Sequence, residues 1–187
     1  MTNRLVFTFV FLILISSCSL NYAKEENPEA TVPEFIFSNS TFSRTEIGKT
    51  TMKFAAQKIE RYKADGISVA KDVAFKTFSK DGEAETEGKS ERVIADSQNE
   101  LYVLLGGIEM NLVQDEMKIE AESLHFDRKN EQITSGLFQA VTIHKKDADI
   151  TGTGFSASGI SKTFQFLNDV FGTIETSEDE EESEGAS

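Results

Sequence analysis

The chain has 187 residues, about one domain's worth; 39% are hydrophobic and 15 are Phe, so it can bury a core and is not a wholly disordered polymer. Nineteen Lys and Arg against 32 Asp and Glu give a formal charge of −13, which argues against a nucleic-acid partner, since that requires a basic footprint. A single Cys excludes a disulfide framework and a thiolate zinc cluster, and two Pro with no Trp exclude Pro-rich low-complexity material.

The chain opens with Arg4 and an apolar run from Leu5 to Ile15 broken only by Thr8. Eleven residues are too few to cross about 30 Å of hydrocarbon, which takes about 20. The run fits a secretory signal cut after small residues. Leu14-Ile15-Ser16-Ser17-Cys18 also resembles a lipobox, and the one Cys of the chain stands where such a signal places it. The expectation is a lipoprotein signal over 1–17 and a lipid anchor on Cys18. Residues 18–33 are polar and contain both prolines, which reads as a tether. A body over 34–175 follows, and 176–187 reads as a disordered acidic tail. Seven acids and no Lys or Arg fall within 175–187, whereas 34–174 carries 17 basic and 22 acidic groups, an ordinary mixed-charge surface.

The body alternates apolar and polar residues with period two, the pattern of half-buried strands. Met52, Phe54 and Ala56 give a short run, although 53–63 is also compatible with a helix. Ile67, Val69, Val73 and Phe75 line one face of 67–78. Tyr102, Leu104, Ile108, Met110 and Leu112 do so in 101–113, around Gly106-Gly107. Ile133, Leu137, Val141 and Ile143 do so in 132–144. Phe164, Phe166, Val170 and Ile174 end the body. Turn signals such as Asp65-Gly66, Asp81-Gly82 and Lys145-Lys146-Asp147 separate the runs. Glu83, Glu85 and Glu87 read as a solvated loop. Short strands joined by polar turns predict an all-β sandwich, barrel or roll.

A weak repeat recurs at about thirty residues: Ile119 and Ala121 before Leu124 and Phe126, Ile150 and Gly152 before Phe155 and Ala157. In both copies the apolar phase slips midway, as at a bulge or strand corner. Arg92–Asp96 reads as a third, degenerate copy. Stacked units of this kind build an elongated roll. Chemistry is sparse. His125 and His144 read as surface histidines, Gly152-Thr153-Gly154 reads as backbone packing, and no nucleophile elbow or phosphate loop is present. No catalytic site, cofactor or metal is expected. Leu101, Val103 and Leu105 make the second face of their strand apolar too, which fits a strand buried on both sides or a greasy interior.

Several segments, in order, resemble the LptC family. They are Ile47-Gly48 with Met52–Ala56 and Ile59–Tyr62, then Leu104–Met110, Ile119–Asp127, Gln132–Ser135, Val141–Ile143 and Ile150–Phe155. The resemblance spans about 46–174. It implies a single elongated, twisted β-jellyroll of antiparallel strands, with no catalytic residue. It also implies a role in lipopolysaccharide export: taking a glycolipid from the inner-membrane ABC transporter subunits LptF and LptG and handing it to LptA. The jellyrolls of this family join end to end by strand pairing. On this resemblance Leu104, Ile108, Met110, Leu112, Phe126, Val141 and Ile143 would point into a lipid groove. Met52, Phe54 and Ala56 would form the partner edge near the transporter, and Phe164, Phe166 and Val170 the edge toward LptA. The chain departs from the family in carrying a lipobox where a transmembrane helix is usual. The expected location is periplasmic, lipid-anchored at the inner membrane. An LptA-like bridge subunit, or a structural surface lipoprotein with a filled core, are the alternative readings.

Overall fold

The computed structural model describes residues 32–63, 66–161 and 163–175; Cys18, the run before it and the acidic tail lie outside them. The described residues form an all-β, antiparallel architecture with no helix. The strands are β1 (Phe35–Glu46), β2 (Lys49–Arg61), β3 (Ile67–Phe78), β4 (Ala84–Asp96), β5 (Leu101–Leu112), β6 (Met117–Asp127), β7 (Gln132–Thr134), β8 (Ala140–Lys145), β9 (Ala148–Thr153), β10 (Ser156–Ser158), β11 (Thr163–Gln165) and β12 (Asn168–Ile174).

From β1 to β6 each strand pairs with the next in a meander. The first hairpin turns on Ile47 and Gly48, both at positive φ, the conformation of a two-residue turn that matches strand twist. The sheet forks at β6. Residues 118–121 of β6 pair with β8, which leads to β9 and β12, while residues 125–127 pair with β7, which leads to β10 and β11. The result is an elongated open roll, the β-jellyroll expected, with β1 at one edge and β11 and β12 at the other.

Every long strand changes side-chain phase at the same level. Asn39 and Asp72 sit there at positive φ, as do Gly106 and Gly107, and Gly154 does so in the second branch. The β4–β5 and β5–β6 registers both slip at this level, where residues 106 and 107 oppose a single position of β6. Such bulges bend a sheet. A Cβ on Gly106 would lie 2.6 Å from the Glu91 carboxylate, so close approach as well as backbone angle demands glycine there. The bend breaks ladder bonds, and Ser90 mends them. Its hydroxyl donates toward the Arg92 and Leu105 carbonyls (2.8 and 3.0 Å) and accepts from their N–H groups at 3.3 Å. Ser90 is the one polar residue among the described residues that is buried as a whole, and its hydrogen bonding is the reason it can be. Ser135 repeats the device in the second branch, accepting from the Phe155 N–H at 2.9 Å.

The structure corrects four sequence expectations. Residues 53–61 are strand throughout, because the phase slip at the bend imitates helical spacing. The run 132–144 is two strands, with Leu137 60% exposed in the connection. Glu85 and Glu87 belong to β4 and face β3, where Glu87 pairs with Lys76. Met52, Phe54 and Ala56 are not on an edge: β1 covers β2, so their strand is hydrogen-bonded on both sides.

Candidate functional site

One face of the sheet carries apolar rows that cross nearly every strand. On one side of the bend, cross-strand neighbours run Phe42, Phe54, Phe75, Gly88, Met110, Ile119, Ile143, Ile150. On the other side they run Phe37, Ile59, Ala70, Val93, Leu104, Leu124. A row at the bend holds Ile108, Ala121, Val141 and Gly152. Directly opposed apolar pairs are the unit of sheet stabilisation, and here they also make a continuous greasy lining.

The lining is closed at one end and open at the other. Leu124, Val141 and Ile143 are fully buried, and Ile108, Ile119 and Phe155 nearly so. The β10–β11 branch covers this end. Phe164 and Phe166 pack on Phe155, with ring centroids 6.3 and 5.4 Å away, and Phe166 lies over Gly152, where a Cβ would come within 2.7 Å of the ring. At the β1–β3 end Ala56, Ala70 and Val73 are still buried near the bend, and the face opens only toward the large side chains at its margin. Phe35, Phe37 and Phe42 are 42–50% exposed, and Phe54, Ile59 and Phe75 are half-buried. Phe37 and Phe42 meet edge to face, 5.6 Å apart, across the bend in β1.

Of the residues singled out from sequence, Leu104, Ile108, Met110, Val141 and Ile143 are buried in the closed part of this lining, and Leu112 and Phe126 are half-buried at its rims. Phe126 packs against Tyr102, with centroids 5.9 Å apart. Phe164 sits on the terminal strand β11, Phe166 just beyond it, and Val170 on β12, 55% exposed. Sequence reasoning missed Phe35, Phe37 and Phe42. Their period is interrupted at Asn39, and the Ser/Thr/Asn content masks the strand. The signal that could have found them was three aromatics within eight residues beside a second apolar run.

The outer face is polar and laced with charge. Lys89, Glu109, Lys118, Glu120, His144 and Asp149 form a ladder across five strands. The contacts are Lys89–Glu109 2.7 Å, Lys118–Glu109 3.2 Å, Lys118–Glu120 2.5 Å, His144–Glu120 3.6 Å and His144–Asp149 2.7 Å. Hydrogen bonds from Lys89 and then Lys118 hold the Glu109 carboxyl below its ordinary pKa, and Lys118 does the same for Glu120. Lys118 is raised in return, first by Glu120 and then by Glu109. Asp96 and Asp127 are lowered by the turn residues Asn99 and Asn130 that they cap. These groups are exposed and hold turns and strands together; none points into the apolar interior. His125 is exposed on the same outer face.

The chain matches the family described as lipopolysaccharide-assembly, LptC-related, over residues 4–175. It is 23% identical over 175 residues to an uncharacterised protein of Treponema pallidum (strain Nichols), a match that covers 91% of this chain and 88% of the relative. A similar solved structure is that of LptH, the LptA-homologous periplasmic component of the conserved lipopolysaccharide transport device from Pseudomonas aeruginosa. It has a TM-score of 0.46 and 10% identity, covering 79% of this chain and 99% of that one.

Proposed function

The chain belongs to the lipopolysaccharide-assembly, LptC-related family, a non-enzymatic component of lipopolysaccharide transport, and on that premise we propose that it carries acyl chains along its apolar lining. In this reading it accepts lipopolysaccharide or a related glycolipid from the transporter subunits LptF and LptG and passes it to LptA. Cys18 anchors it by lipid to the inner membrane, with the body in the periplasm. The observation that supports the reading is the set of apolar rows running from β1 to β9 on one face. Each CH₂ of an acyl chain costs about 0.8 kcal/mol in water, so a carrier needs this kind of unbroken shield. The β11 and β12 edges, with Phe164, Phe166 and Val170, offer backbone groups for strand addition by LptA.

The buried packing at Leu124, Val141 and Ile143 favours a second reading, a structural lipoprotein with a filled core. One experiment separates the two. A photo-reactive residue replacing Phe54, on the open lining, is expected to crosslink glycolipid in cells, and one replacing its neighbour Lys53, on the outer face, is not. Equal labelling at both positions, or none at Phe54, removes the carrier reading and leaves the filled core.

A further inference from the structure

We propose that the open end of the lining takes an amphiphile with an oxyanionic head group, held by Arg44 and Arg61 at the two margins. This deepens the carrier reading and rests on it: the lining receives the acyl chains, and the arginines select what those chains are attached to.

The supporting observation is the sign of the charge on the lining's face. Along the β1–β2 ladder the inward pairs are Phe35–Arg61, Phe37–Ile59, Phe42–Phe54 and Arg44–Met52, so an arginine ends the apolar run on either side of the bend. The far side repeats the pattern. Lys145 stands two residues beyond the buried Ile143, lines a cleft with Leu112 and Met117, and sets its ammonium 5.6 Å over the Phe164 ring. Arg44, Arg61 and Lys145 are exposed, and none of them makes a salt bridge among the described residues. In the regular ladder rows of the described strands no acid shares this face. Glu60, Glu87, Glu109, Glu120 and Asp149 alternate outward, and Glu60 turns to Lys58 at 2.6 Å. Residues 34–174 carry 22 acids and 17 bases, so an all-basic inner face is the reverse of what composition alone supplies.

The bend places the two arginines on opposite margins. β1 folds at Asn39, which brings Phe37 and Phe42 together from the two walls and leaves Arg61 at the end of one wall and Arg44 at the end of the other. The margins face one another: Glu46, past the register shift in β1, reaches Arg128 in the β6–β7 turn at 3.9 Å. A neutral trough would accept any greasy molecule. A guanidinium fork at each margin favours phosphate or carboxylate oxygens, which it meets with two parallel hydrogen bonds, and repels a cationic head. The net charge of −13 repels anions from the surface as a whole, which makes a basic margin selective for place as well as sign.

The test uses the full chain in phosphatidylcholine nanodiscs, with a photo-reactive residue replacing Phe54. The probes are radiolabelled decyl phosphate, decyl maltoside and decyltrimethylammonium, which share one chain and differ in head-group charge. Decyl phosphate is expected to reach half-maximal labelling at about tenfold lower concentration than decyl maltoside, the combined effect of two exposed ion pairs. Arg44→Gln with Arg61→Gln should erase that preference and leave decyl maltoside labelling and circular dichroism unchanged. Arg44→Glu with Arg61→Glu should turn the preference toward decyltrimethylammonium, a gain that a misfolded chain cannot produce. Excess inorganic phosphate should compete poorly, because it brings no chain. Equal labelling by all three probes in the wild type overturns the head-group proposal and leaves the carrier reading standing. A preference that survives the glutamine pair, fails to invert in the glutamate pair, or yields to inorganic phosphate as readily as to decyl phosphate also overturns it. No labelling by any probe overturns the carrier reading itself, and this proposal with it.

Discussion

The two ends of the apolar lining are built from the same rows and behave as different materials. Toward β6, β8 and β9 the rows run into the most buried part of the roll, and side chains such as Leu124 and Ile143 have no exposure. Toward β1, the same rows end on Phe37 and Phe42, which are 42 and 43% exposed. Composition does not distinguish the ends; coverage does. Beyond the fork at β6, Phe155, Phe164 and Phe166 of the second branch cluster together, with Phe166 over Gly152 of β9, and no comparable cover reaches Phe37 and Phe42 among the described residues. The closed end therefore carries the stability and the open end carries the unpartnered surface. A carrier needs both, because a trough that closed along its whole length would exclude its cargo.

The largest expected break in that contrast comes from truncating one side chain at each end. Leu124→Ala should leave a cavity in a fully buried site and cost about 2–5 kcal/mol, lowering Tm by roughly 5–15 °C. Phe42→Ala removes more atoms but from a half-covered site, and should cost about 1 kcal/mol. Thermal unfolding of the two variants checks this. Equal losses would show that the β1 end is packed against something in solution.

A smaller effect sharpens the same point with the opposite change. A Cβ at Gly152 would meet the root of the Phe166 ring at 2.7 Å, where the ring is held between Phe155 and Phe164. Gly152→Ala should cost about 1–3 kcal/mol, as overpacking does. A Cβ at Gly88 would meet the tip of Phe75 even more closely, yet that ring is half-buried at the open end and can swing aside. Gly88→Ala should therefore cost less than Gly152→Ala in chemical denaturation, despite the shorter contact. The reverse order would mean that the lid over β9 is loose.

Much of this arrangement was legible in the residues. The alternating runs in 67–78 and 101–113 became β3 and β5 with their bounds nearly intact, because a sheet with one apolar face writes period two into its sequence. The repeat around Ile119 and Ile150 marked the bend correctly, since a bulge must shift the phase. The bend also caused the failures. In β2 the shift imitated a helix, and in β1 it divided the aromatics between two short phases, so the edge strand went unseen and β2 was taken for the edge. Leu137 was assigned inward because no local signal reveals that Ser135 and Gly136 leave the strand. Which end of the lining is covered depends on where β10 and β11 return, a long-range pairing that no stretch of sequence announces.

The smallest expected effect lies on the outer face, where neither end of the lining is involved. Glu109 accepts from Lys89 and Lys118, and Glu120 accepts from Lys118, so both carboxyls have folded pKa values below their unfolded ones. A carboxylate of this kind stabilises the fold at any pH above its unfolded pKa, about 4.3, and loses that contribution as the pH falls through the lower, folded value. The ladder should thus be silent from pH 7 down to about 5 and weaken below about 4. Because these groups are solvent-exposed, screening keeps the contribution small and salt-sensitive. Glu109→Gln is expected to shift Tm at pH 7 less than Gly152→Ala does, and to flatten the fall in Tm between pH 5 and 3. Tm measured against pH in low and high salt checks both parts. A Glu109→Gln loss as large as that of Leu124→Ala would mean that the outer ladder, rather than the covered end of the lining, holds the roll together.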